Sequence, residues 1–210
     1  MKHPHLLILS LLLPLIACNR SDNTITPIDI SQYYEGKTNL TEAESQEINE
    51  RILTDQQRAT IGKTIPDIKV KDIDGKEFRL KKLIQHPSVV IFSAHNSSWG
   101  KRDAEVDFPN AIRALEDEME GIDIFCLVEN NANYDQNAVM DYAWQLQKNY
   151  SKVYLIDQKD AQSMNLSICP TKYFINEKHV VTDMYAGYAF EEEDRQLILL
   201  SGIYSMQEKL

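Results

Sequence analysis

An unbroken apolar run at residues 88–93, Ser-Val-Val-Ile-Phe-Ser, most constrains what this chain can fold into. A strand with no polar face has to be covered on both sides, as in the centre of an α/β sheet. Residues 122–128 read as a second buried strand and residues 153–156 as a short third. Between these runs the spacing turns helical. Ala104, Phe108, Ile112, Leu115 and Met119 share one face of 101–120, and Tyr142, Leu146 and Tyr150 share one face of 138–150. Pro109 sits inside the first of these stretches and predicts a kink or a restart there. Strands alternating with helices imply a mostly parallel βαβ core with helices on both faces.

The flanks complete the pattern. Ile68, Val70 and Ile73 precede Asp74-Gly75, and Phe78 and Leu80 follow, which reads as two short strands around a hairpin turn. Downstream come a helical turn at 160–164, a strand at 171–175 and its antiparallel partner at 180–185. A closing helix at 191–206 puts Leu197, Leu200 and Ile203 inward. Residues 58–210 thus read as one α/β domain. Residues 18–57 are polar, with 19–27 reading as a flexible tether. Thr41 with Glu44 is a capping-box pattern that predicts a short helix over 42–53.

Residues 1–17 read as an address. Lys2 precedes an apolar stretch at 6–17 that is too short for a membrane span. It ends Leu15-Ile16-Ala17-Cys18, which resembles a bacterial lipobox, in which the cysteine is lipidated and becomes the new N-terminus. The resemblance implies a lipid anchor on Cys18 and a place in the cell envelope outside the cytoplasm, on the periplasmic side or the cell surface. The formal charge is −10, and removing 1–17 with Lys2 leaves 21 Lys and Arg against 32 Asp and Glu, a charge of −11. Such a chain would have to overcome phosphate repulsion, so nucleic acid is not an expected partner. Cys126 and Cys169 remain after Cys18 is used, and an exported protein sits where two cysteines could pair.

Four stretches carry a resemblance to a known family. They are Ile65-Pro66-Asp67 with Asp74-Gly75-Lys76, the apolar strand into Phe92-Ser93-Ala94, the segment Ile168-Cys169-Pro170-Thr171-Lys172-Tyr173-Phe174-Ile175-Asn176, and Met184-Tyr185-Ala186-Gly187. Over residues 60–208 the chain resembles the thioredoxin-like superfamily, in its TlpA/ResA and AhpC/TSA-like branch. The resemblance implies a thioredoxin-like fold with an N-terminal hairpin and a C-terminal antiparallel pair. It also implies a cis Pro170 that faces a peptide groove. In that fold's usual strand order Cys126 and Cys169 flank the central strand, roughly 10 Å apart, too far for a disulfide. The family's activity is thiol–disulfide exchange at a CxxC pair where the central strand meets its helix. This chain has Ser97 and Gly100 at that spacing. Anchoring the register on Trp99 instead gives Gly100 and Asp103. Neither register supplies a thiol, so that chemistry cannot run at this loop.

Several residues then compete for roles. Cys169, beside the expected groove, is either a lone reactive thiol with its pKa lowered by the facing helix N-terminus or an apolar filler. Trp99 is either an anchor for a bound peptide or packing under the loop. Ser97 reads as a helix cap with Ser98 rather than as a nucleophile, because nothing supplies a base held by a third group. Asp103 and Glu105 read as a solvated helix start. Cys126 reads as inert core. His86, His95 and His179 have no metal-ligand spacing, and neither a metal nor a cofactor is expected. The expected function is a redox-inactive envelope lipoprotein binding a peptide or partner protein through Trp99, Cys169, Pro170 and Thr171. The alternatives are a single-thiol redox enzyme or oxidant sensor using Cys169, and a structural element contacting an envelope complex through 19–57.

Overall fold

The computed structural model describes residues 23–207; the segment read as a leader, and Cys18 with the lipid expected on it, lie outside them. The chain runs through α1 (Ser31–Tyr34), α2 (Glu42–Thr60), β1 (Lys69–Lys71), β2 (Glu77–Arg79), α3 (Leu80–Leu83) and β3 (Ser88–Ser93). Next come α4 (Ser98–Arg102), a π-helical turn at Asp103–Asp107, α5 (Phe108–Ala114), β4 (Asp123–Asn130) and α6 (Gln136–Leu146). The chain ends with β5 (Val153–Asp157), α7 (Gln158–Ser163), β6 (Thr171–Ile175), β7 (Val181–Ala186) and α8 (Glu192–Gln207).

One seven-stranded sheet forms, in the order β2-β1-β5-β4-β3-β6-β7. The βαβ units expected from the alternation are the parallel pairs β3–β4 and β4–β5; the remaining pairings are antiparallel. Every residue of β3 is buried. Val89 and Ile91 point to one face, with Phe108, Tyr142, Leu146 and Ile203, while Val90 and Phe92 point to the other, with Leu80, Met164 and Tyr173.

Four local features differ from the sequence reading. The segment read as a tether packs from Asn23 onward: Thr24 bridges Thr64, and Ile25 is buried in the second core. Helix α2 runs on to Thr60, because Gln56 and Thr60 continue the buried stripe of Ile48 and Ile52. Their polar ends bond Asn165, whose side chain also accepts from the Ile28 N–H and donates to the Thr26 carbonyl. The helix expected over 101–120 ends at Ala114. Glu116, Asp117, Glu118 and Glu120 would set negative charge against its C-terminal dipole. On α8, Leu197 faces solvent at 63% exposure, and Leu199, Gly202, Ile203 and Met206 face the sheet. Gly202 is what allows the approach, since a Cβ there would lie 2.2 Å from the Phe174 ring.

Pro109 has a definite consequence. It has no N–H to give the Glu105 carbonyl, and the Phe108 N–H reaches back five residues to Asp103 instead of four to Ala104. Two carbonyls are left over. The Tyr150 hydroxyl donates to the Ala104 carbonyl at 2.8 Å, and the Asn149 amide donates to the Glu105 carbonyl at 2.8 Å. Among the described residues, no helix is long and apolar enough to cross a membrane, and no cluster of His, Cys, Asp and Glu is placed to hold a metal.

Candidate functional site

Strand β3 ends at Ser93, and the chain turns through Ala94–His95–Asn96 into α4. Ser97 is the N-cap: its side chain accepts from the Gly100 N–H at 3.0 Å, and its carbonyl takes the Lys101 N–H at 2.9 Å. The hydroxyl is therefore committed to the helix start. The His95 ring packs edge-on against Tyr134, with centroids 4.8 Å apart, and Tyr134 donates to Glu129 at 3.0 Å.

Opposite this loop the chain leaves the segment after α7 and enters β6 through a cis Cys169–Pro170 bond. The structure brings Ser97, Gly100 and Cys169 together. A Cβ on Gly100 would stand 2.3 Å from Cys169 Sγ, 3.0 Å from Ser97 Oγ and 3.1 Å from Ser97 Cβ. The space that a side chain at position 100 needs is thus filled by the Cys169 sulfur. Gly100 is buried in a helix and its backbone is ordinary, so the glycine serves close packing rather than a turn.

Of the two readings of Cys169, the surroundings of the half-buried thiol speak for the filler over the activated thiol. Burial pushes its pKa up. Hydrogen bonding to Ser97, the Ala94 backbone and Ser93 offsets part of the rise, and the Glu129 carboxylate adds to it. A thiol so placed stays protonated at neutral pH. Cys126, on β4, is fully buried and pushed up further by desolvation. Strand β3 lies between the two cysteines, and both are free. A cleft of about 200 Å³ opens beside Cys169, lined by Asn96, Ser97, Glu129, Gln162 and Ser167 among others. Pro170 and Thr171 are buried, and the Thr171 hydroxyl turns inward to the Ile168 carbonyl at 2.6 Å.

Beneath the loop lies a pair that the sequence reading missed. Asp103, read as solvated, has no exposure at all, and Lys172 Nζ stands 2.7 Å from its Oδ2. Lys172 also lies over the rings of Phe108 at 5.2 Å and Tyr185 at 5.8 Å. Burial raises the Asp103 carboxyl above its ordinary value, and Lys172 only partly opposes the rise. The signal was available: a lysine inside an otherwise apolar buried strand needs a carboxylate partner. Glu105 is half-buried, with Oε1 lacking a hydrogen-bond partner.

The outer rim is aromatic. Trp99 is 49% exposed, and its ring lies 4.7 Å from Tyr188 and 5.2 Å from Phe190, which are 5.0 Å from each other. Asp107 holds this rim in place. It accepts from the Tyr188 hydroxyl and from Arg102 Nε at 3.1 Å, and Arg195 lies 3.9 Å away. Arg195 in turn donates to the carbonyls of Ala189 and Phe190, each at 2.8 Å. The Gly187 N–H donates to the Pro170 carbonyl at 2.8 Å, which sets this rim beside the cis-proline.

No family model and no curated protein matches the sequence. Solved structures do resemble the fold. The thioredoxin domain of a thiol-disulfide oxidoreductase from Bacteroides vulgatus aligns with a TM-score of 0.51 at 13% identity, over 69% of this chain and 98% of that one. A thiol:disulfide interchange protein from a Bacteroides species aligns with a TM-score of 0.52 at 13% identity, over 69% of this chain and 91% of that one. At such identities the likeness is one of fold, and the fold of this chain is thioredoxin-like.

Proposed function

We propose that this thioredoxin-like domain performs no thiol–disulfide exchange and instead binds an extended peptide or partner protein along the cleft between the Ser97–Gly100 turn and the Cys169–Pro170 segment. The observation that carries this reading is the filled dithiol position: Ser97 caps the helix, and the Cys169 sulfur occupies the room beside Gly100. Exchange needs a thiolate to attack a disulfide and a second thiol to resolve the mixed product. Here one half-buried thiol with a raised pKa faces a serine and a glycine. The same burial weighs against the single-thiol enzyme.

The reading includes anchorage in the cell envelope by lipid on Cys18. In that case the leash is short. Asn23 is held by Gly62, Lys63 and Thr64. The five residue steps from Cys18 to Asn23 span at most ~18 Å when fully extended. Such a domain would work close to its membrane.

Insulin reduction with dithiothreitol as electron donor tests the absence of exchange. The expected result is no turnover above the uncatalysed rate, and turnover comparable to a CxxC-bearing relative would refute it. Alkylation of Cys169 by iodoacetamide is expected to be slow at neutral pH. Fast alkylation with an apparent pKa below the free-thiol value of about 8.5 would favour the single-thiol enzyme.

A further inference from the structure

The exposed aromatic rim adjoins a run of carboxylates that the binding reading leaves unused. Phe190 is followed by Glu191, Glu192, Glu193 and Asp194, all exposed, at the start of α8. Cations are present nearby but engaged. Arg102 and Arg195 both approach the buried Asp107, and Lys101 Nζ lies over the Tyr142 ring at 5.6 Å. Arg102, Arg195 and Lys101 against Asp107 leave two positive charges to the four carboxylates of 191–194, so the rim presents exposed aromatic rings beside a net negative charge. It is also a built surface. Its three rings touch one another, its loop carbonyls are bonded by Arg195, and its tyrosine is bonded by Asp107.

We propose that this rim receives a basic, Arg- or Lys-bearing segment of a partner protein. Its cationic groups would lie over Trp99 and Phe190, with Glu191–Asp194 supplying opposite charge. The proposal rests on the reading of the adjoining cleft as a binding surface and names the chemistry of its occupant. Two features converge on a cation. Ring faces carry negative potential that attracts ammonium and guanidinium groups. Four carboxylates beside them raise the local concentration of positive charge and reject acidic segments. A neutral apolar peptide would use only the first feature.

The test uses the full chain in a non-ionic detergent with Trp144→Phe, so that Trp99 is the one remaining tryptophan. Three short peptides serve as probes: Arg alternating with Gly, citrulline alternating with Gly, and Glu alternating with Gly. The Arg peptide is expected to change Trp99 emission saturably, while the citrulline peptide, equal in shape but uncharged, binds roughly ten-fold more weakly. The Glu peptide is expected not to bind. Anisotropy of a labelled Arg peptide then reads the variants. Trp99→Leu with Phe190→Ala should weaken binding roughly ten-fold. The surface change Glu191→Gln, Glu192→Gln, Glu193→Gln should weaken it independently, without touching the core. Equal affinity for the Arg and citrulline peptides overturns the proposal. So does Arg-peptide binding that survives loss of the two rings, which would be diffuse attraction to an acidic protein. Capture on phosphatidylethanolamine vesicles without peptide binding would also overturn it. Insulin turnover would refute the redox-inactive reading and leaves the peptide result to stand or fall separately.

Discussion

Replacing Gly100 by alanine should change sign with the residue at position 169. In a helix, alanine is favoured over glycine by ~0.8–1.0 kcal/mol through backbone entropy alone. Gly100 has no left-handed backbone to oppose that gain. What opposes it is the Cys169 sulfur, 2.3 Å from the new methyl, against an ordinary contact nearer 3.5–4.0 Å. The sulfur can yield only by turning about χ1 of Cys169, away from its seat against the second core, and overpacking of this kind costs about 1–3 kcal/mol. The contacts to Ser97 at 3.0 and 3.1 Å add a smaller strain. Gly100→Ala alone should therefore destabilise by about 0.5–2 kcal/mol. In a Cys169→Ala background the sulfur is gone. The same substitution should then range from neutral to a gain of about 1 kcal/mol. The coupling across the cycle is then about 0.5–3 kcal/mol, within what contacting residues show. Urea denaturation of the four proteins, with a constant dependence on denaturant, measures each corner. Additivity within about 0.3 kcal/mol would refute the claim that the sulfur occupies the missing side chain's place.

Other consequences follow from the buried polar groups. Lys172→Met strands the Asp103 carboxylate and should cost about 3–5 kcal/mol; adding Asp103→Leu should recover most of it, read by the same denaturation. Burial raises the folded-state pKa of Asp103, so the native protein binds that proton more tightly than the unfolded chain. Its contribution to stability is therefore largest below the unfolded value of 3.8 and is lost as pH rises through the raised value. The pH profile of wild type minus Asp103→Asn should slope that way across this window, and a flat difference counts against it. Tyr150→Phe leaves the buried Ala104 carbonyl without its donor and should cost about 1–3 kcal/mol. Asp107→Asn should loosen Tyr188 and the loop that Arg195 holds. The expected signs are a weaker near-ultraviolet signal and a red-shifted Trp99 emission, with far-ultraviolet ellipticity unchanged.

The strand plan was legible because it rests on local hydrophobic pattern. β3 had to be central since Val89, Val90, Ile91 and Phe92 leave no polar face to turn to water, and the hairpin at Asp74-Gly75 announced itself by its turn residues. The absence of a dithiol was equally plain, as it needs only residue identity. Which interior polar groups pair was not legible, even where Lys172 on its strand called for some carboxylate. Asp103 looked like any acid in a first helical turn until Lys172, far off in sequence, met it. Gln56 and Thr60 looked like the polar end of a helix until Asn165 bonded them. Pro109 announced a disturbance, yet the π turn and its two outside donors depend on where Tyr150 and Asn149 arrive. The sequence by itself determined the order of strands and helices and the absence of cysteine from the 94–103 loop, because periodicity and residue identity are properties of short segments. Only the tertiary structure decided that the Cys169 sulfur fills the place beside Gly100 and that Trp99, Tyr188 and Phe190 form one rim, because each joins segments far apart in the chain. Packing and desolvation act on whatever is adjacent in space, and no local pattern records them.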